Sequence, residues 1–148
     1  MARRIGVVLI VAIAMIAFFY TAQAQTGEKK WKKTITLPNG DVILNMNGEW
    51  DVYVSYLRPA AGYQGLEGGK TKITQTGSSF VGISMNALIA FRKGSEIIKG
   101  ELTKSGFKQV QIISGLFGNL DAKGQINEDG NRIIIEDGEN LKLTFTRK

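Results

Sequence analysis

The sequence predicts an all-β fold, an antiparallel up-and-down meander of about 8–10 strands closed into a barrel. Three observations predict it. Apolar and polar residues alternate along most of the chain after position 33, and Gly, Asn and Asp clusters punctuate the alternation. No long helical periodicity appears beyond the first 24 residues. A meander this long has no helix to cover its apolar face, and closure hides that face and removes the sheet edges together; a two-sheet sandwich also works, but short hairpins between consecutive strands favour the barrel.

The first 24 residues stand apart. Arg3 and Arg4 precede an apolar run from Ile5 to Phe19, and Ala22-Gln23-Ala24 supplies small residues two apart. That order is expected of a secretory signal peptide cleaved after Ala24. The chain is therefore expected to be exported, to the periplasm or outside the cell, as a single domain over 25–148 with a basic lead-in at 25–33.

The elements follow in order. Thr34 to Leu37 reads as a strand, Pro38-Asn39-Gly40-Asp41 as a turn, and Val42 to Met46 as the return strand. From Glu49 the alternation sharpens, with Trp50, Val52, Val54 and Tyr56 on one face. Arg58 to Gly69 contains Pro59 and four glycines and reads as a loop, a candidate lid. Lys70 to Gln75 is a strand and Thr76-Gly77-Ser78-Ser79 a hairpin turn. Every odd position from Val81 to Phe91 is apolar, which predicts one strand over Phe80–Arg92 with Ile83, Met85, Ile89 and Phe91 inward, and a bend or short helical turn around Asn86 as the alternative. Ser95–Leu102 and Phe107–Ile113 form the next hairpin, and Leu116–Asn119 a connection. Ala122–Asn127, Arg132–Glu136 and Asn140–Thr146 complete the meander, the last with Leu141, Leu143 and Phe145 inward.

Composition excludes several chemistries. The chain has no Cys and no His. Disulfides, thiolate metal sites, Cys nucleophiles and Ser-His-Asp chemistry are all ruled out, and packing alone must hold the fold. Without His the usual neutral-pH proton carrier and commonest metal ligand are missing. The expectation is no enzyme, no cofactor and no metal. Removing Arg3 and Arg4 from 19 basic residues leaves 17 against 13 acids, a charge of +4. That is modest, and an exported protein seldom meets nucleic acid, so no nucleic-acid partner is expected.

Four sets of residues are candidate sites. The inward set Trp50, Val54, Tyr56, Met85, Ile89 and Phe91 would line a cavity for a small apolar ligand or lipid, or else fill the core. Glu128, Asp129, Glu136, Asp137 and Glu139 could hold Ca²⁺, although Asp-Gly is also ordinary hairpin chemistry. Lys29, Lys30, Lys32 and Lys33 surround Trp31 and suit weak contact with an anionic membrane surface, or form a solvated lead-in. Glu49, Asp51, Glu96 and Glu101 are the strand carboxylates a glycosidase pair would need.

Asn47-Gly48-Glu49-Trp50, opening a strand, resembles the Gly-x-Trp signature of lipocalin and wider calycin barrels. The segment Lys72 to Gly82 also looks like a hairpin of small exported bacterial lipocalin-like proteins of unknown role. The resemblance implies a lipocalin-like barrel closed at one end by Trp50 against a basic residue of the last strand, for which Arg147 is the candidate. It implies binding of a small apolar molecule or envelope lipid. Small bacterial metalloprotease inhibitors share the signature and imply an alternative, a protein-interaction module that inserts an N-terminal segment, here Gln25 to Glu28. A structural role in the envelope is the third reading.

Overall fold

A computed structural model describes residues 31–60 and 62–148. The expected signal peptide and Lys29 and Lys30 lie outside the described residues. Ten strands are present and no helix among those residues: β1 (Thr34–Thr36), β2 (Val42–Leu44), β3 (Gly48–Tyr56), β4 (Leu66–Thr76), β5 (Ser79–Ser84), β6 (Glu96–Thr103), β7 (Gly106–Ser114), β8 (Gly118–Ile126), β9 (Arg132–Glu136) and β10 (Leu141–Thr146). β1 and β2 form a separate hairpin. The other eight close into an antiparallel barrel in the order β10-β3-β4-β5-β6-β7-β8-β9. Each neighbour pair is consecutive in the chain except β3 with β10, whose pairing from Asp51↔Thr146 to Tyr56↔Leu141 closes the ring.

Alternation fills the interior. Trp50, Val52, Val54 and Tyr56 point in from β3, Ile133 and Ile135 from β9, and Leu141, Leu143 and Phe145 from β10. Burying each aliphatic or Phe side chain contributes about 1.5–3 kcal/mol. Small residues sit where large neighbours need room. Phe107 occupies the space above Gly124, and Ile98 that above Gly82. Phe107 also meets Phe80 edge-on at 5.6 Å between centroids.

The face assignment of β5 is opposite to the sequence expectation. Phe80, Gly82 and Ser84 point inward, and Ile83 is 39% exposed. The tight turn at Gly77-Ser78 decides this, because it pairs Gln75 with Phe80 and Thr74 with Val81. Directly opposed residues share a face, and Ile73 and Gln75 are buried, so Phe80 must be buried too. The strand also ends at Ser84, and the bend near Asn86 is the alternative realised.

The expected loop 58–69 is shorter than predicted. Leu66 to Gly69 belong to β4 and pair with Val52–Ser55. Gly68 and Gly69 serve close approach here. A side chain at Gly68 would meet the Tyr53 ring, and one at Gly69 would meet Asn86 Oδ1 and the Leu88 methyls.

The β1–β2 hairpin lies across one end of the barrel. Gln75 of β4 holds it on one side: its Oε1 accepts from Met46 N at 2.7 Å and its Nε2 donates to Leu44 O at 3.0 Å. On the other side Lys32 N donates to Asp129 O at 3.0 Å, and the Leu44 side chain packs over Gly130 in the β8–β9 turn. β4 and β8 are four strands apart in a ring of eight, so the hairpin spans opposite walls. Ile43, Leu44 and Met46 are fully buried there.

Candidate functional site at the barrel mouth

The hairpin end holds Trp50 and Arg147. The Trp50 indole donates to Met46 O at 2.8 Å, and the Arg147 guanidinium lies 4.2 Å from the Trp50 ring centroid. Arg147 Nη2 donates to Gly130 O at 3.4 Å, while Nε and Nη1 are buried without a hydrogen-bond partner among the described residues. Burial lowers the Arg147 pKa from its ordinary value, and the indole face supplies the compensating cation–π contact.

The opposite end is the mouth. Two segments cross it. The strap, residues 85–95, runs from the end of β5 to β6. It is fixed first to the β3–β4 wall. Ala90 N donates to Tyr56 Oη at 3.1 Å, Ile89 N donates to both Glu67 carboxylate oxygens at 3.2 Å, and Lys70 N donates to Asn86 Oδ1 at 2.7 Å. It is fixed next to β7, where Gly115 N donates to Ala90 O at 2.9 Å and Ser114 Oγ to the same oxygen at 3.4 Å. β3 and β7 are opposite walls, so Ala90 bridges the opening. Ala90 and Phe91 are buried in the barrel's core cluster.

The second segment is the loop 57–65. Tyr63 meets Tyr56 edge-on at 5.6 Å, and its hydroxyl donates to Leu66 O at 2.8 Å. Arg58 stacks its guanidinium 5.1 Å from the Phe117 centroid in the β7–β8 turn. Around these crossings, Leu57, Tyr63, Leu66, Ile89 and Leu116 are exposed, at 36–57%. Five of the eight exposed large apolar side chains among the described residues therefore gather at one end.

The Tyr56 hydroxyl sits at the junction. Desolvation by burial raises its pKa to about 12 against the hydrogen bond from Ala90, and the Glu67 carboxylate adds to the rise. Tyr56 therefore stays neutral at ordinary pH and acts as a hydrogen-bonding peg.

The sequence-derived set divides here. Trp50, Val54, Tyr56 and Phe91 are buried in one core, Trp50 toward the hairpin end and Tyr56 and Phe91 at the mouth. Met85 and Ile89 are not on a strand. Both belong to the strap, Met85 half-buried and Ile89 37% exposed, because β5 stops at Ser84 and the period of two lapses with it. Glu67, Ser114 and Ala90, which anchor the strap, carried no signal in the sequence. Glu67 fell within an expected loop, and Ala90 is held mainly through backbone atoms.

The acidic turns do not converge. Glu128 and Asp129 belong to the β8–β9 turn at the hairpin end, and Asp137 and Glu139 to the β9–β10 turn at the mouth. Asp129 accepts from Asn131 N at 3.0 Å and pairs with Lys32 at 3.8 Å. Asp137 accepts from the backbone of Glu139, Asn140 and Leu141 and from Asn140 Nδ2. These carboxylates cap turns, and no group of three or more metal-type ligands occurs among the described residues. Glu49 and Asp51 lie exposed on β3, three strands from Glu96 and Glu101 on β6. Comparison of the chain with protein-family models, with curated proteins and with solved structures gives no match in any of the three.

Proposed function

We propose that this chain is an exported, non-catalytic, lipocalin-like binding protein for a small apolar molecule or the acyl portion of an envelope lipid. The observation that carries this reading is the strap. It inserts Ala90 and Phe91 into the mouth on contacts to opposite walls, within a rim of exposed Leu57, Tyr63, Leu66, Ile89 and Leu116. An eight-stranded barrel is just wide enough to be filled by side chains or to hold one small ligand. Phe91 then stands in for the ligand. Lifting the strap costs a few hydrogen bonds, each worth about 0.5–1.5 kcal/mol net, and an apolar guest repays that by burial.

Native mass spectrometry of the exported protein, purified without detergent from its own host, tests this. The expected result is a discrete extra mass that passes into organic solvent, or uptake of a hydrophobic fluorescent probe that increases in Phe91→Ala. A ligand-free mass together with no probe uptake by either protein overturns the reading.

A further inference from the structure

The outer wall of the barrel carries a second feature, independent of the mouth. A groove of about 350 Å³ runs over β5, β6, β7 and β8, lined by Val81, Lys99, Glu101, Gln109, Gln111 and Asp121. Strand register explains why these residues meet. Val81 pairs with Lys99, Lys99 with Gln111, and Gln111 with Asp121, which makes one straight row across four strands. Ser79, Glu101 and Gln109 form a second row, two residues along each strand from the first. With neighbouring strands ~4.8 Å apart, the first row extends ~14 Å.

A β-bulge enriches the lining. Leu102 pairs with Phe107 but Glu101 pairs with Gln109, so Lys108 is the extra residue. Both Lys108 and Gln109 are consequently exposed between inward Phe107 and Val110. Lys108 reaches Glu101 at 3.6 Å. Gln111 Nε2 donates to Asp121 Oδ1 at 2.9 Å, which orients both side chains and leaves Gln111 Oε1 and Asp121 Oδ2 without a partner among the described residues.

We infer that this groove is a binding site for a neutral saccharide. The lining holds one ammonium, Lys99, and two carboxylates, Glu101 and Asp121; Lys108, just outside the lining, pairs with Glu101 at 3.6 Å, so the local charges offset one another and do not select an ion. It offers side-chain donors and acceptors side by side, from ammonium, amide and carboxylate groups. Sugar hydroxyls both donate and accept, and so match such a mixture. Val81 supplies an apolar contact for a ring face. The volume falls at the lower end of the range of small-molecule pockets.

The test is a backbone amide NMR titration of the exported protein with triacetylchitotriose and, separately, with cellotriose, to about 20 mM, the range of weak binding. The expected result is saturable shifts for at least one sugar, centred on residues 81, 99–101, 109–111 and 121. The doubly substituted Gln111→Ala/Asp121→Ala protein should bind about ten-fold more weakly, the loss expected for two polar contacts, with an unchanged melting temperature because both side chains lie outside the core. Absence of saturable shifts with both sugars overturns the inference. So do shifts centred elsewhere, or equal affinity in the substituted protein.

Discussion

Gln75 is where a single change should cost the most for its size. Its amide mimics a neighbouring strand for the edge of β2. Oε1 takes the Met46 N–H, and Nε2 serves Leu44 O and Gly77 O. Gln75→Leu keeps the volume and removes both functions. Gly77 is exposed and its carbonyl can turn to water, but Met46 and Leu44 are fully buried. Each stranded backbone group costs about 1–3 kcal/mol, so the substitution should destabilise by about 2–4 kcal/mol. For a domain of this length, at about 4 °C per kcal/mol, the melting temperature should fall by roughly 10 °C. Urea unfolding followed by tryptophan fluorescence gives the free energy, and hydrogen exchange at the Met46 amide gives the mechanism. A loss under about 0.5 kcal/mol with Met46 still protected would refute the reasoning.

Three further outcomes follow from the same geometry. Because the folded Tyr56 pKa is raised to about 12, its contribution is whole below the ordinary tyrosine pKa and is lost as pH rises through that range, so the phenolate absorbance of Tyr56 should appear only with alkaline unfolding; difference titration against Tyr56→Phe checks this, and ionisation near pH 10 in the folded protein contradicts it. Asp137 behaves in the opposite sense. Burial opposes its charge, but the backbone donors of Leu141, Asn140 and Glu139 outweigh it and hold the pKa low, so its stabilisation is present above about pH 4 and fades below; Asp137→Ala should flatten the acid limb of a stability profile, and an unchanged limb contradicts this. Arg147→Ala should lose about 1–2 kcal/mol in urea, from the cation–π contact and the packing of its stem on Trp50, and should alter the Trp50 emission; a loss without spectral change would place the effect elsewhere.

The barrel was legible because hairpin chemistry and alternation agreed over β3 and β10, where turn residues sit at strand ends and buried positions are plainly apolar. Alternation misled where the outward face of a strand was the more apolar one. At β5, Val81 and Ile83 look like core residues, but the parity of the Gly77-Ser78 turn outranks hydrophobicity, and nothing in a local window reports that parity. Glycines misled at Gly68 and Gly69, since a strand that needs close approach and a flexible loop look alike in sequence. The Gly48-Glu49-Trp50 motif directed attention to Trp50, whose ring lies 4.2 Å from the Arg147 guanidinium. The strap was not legible, because its anchors are backbone groups and residues distant in sequence, Glu67 and Ser114, meeting across the barrel.

The pairing of β3 with β10 has a kinetic meaning. Asp51 finds its partner in Thr146, so the contact that seals the ring joins nearly the two ends of the barrel sequence. Every other seam joins consecutive strands and can zip locally. The closing loop is long, and its entropy must be lost before the seam returns any energy. During synthesis the barrel has an open edge on β3 until β10 has emerged. Until that moment an unpaired row of amides and carbonyls is available to any other extended chain nearby, and the final strand acts as the stopper that ends this vulnerability.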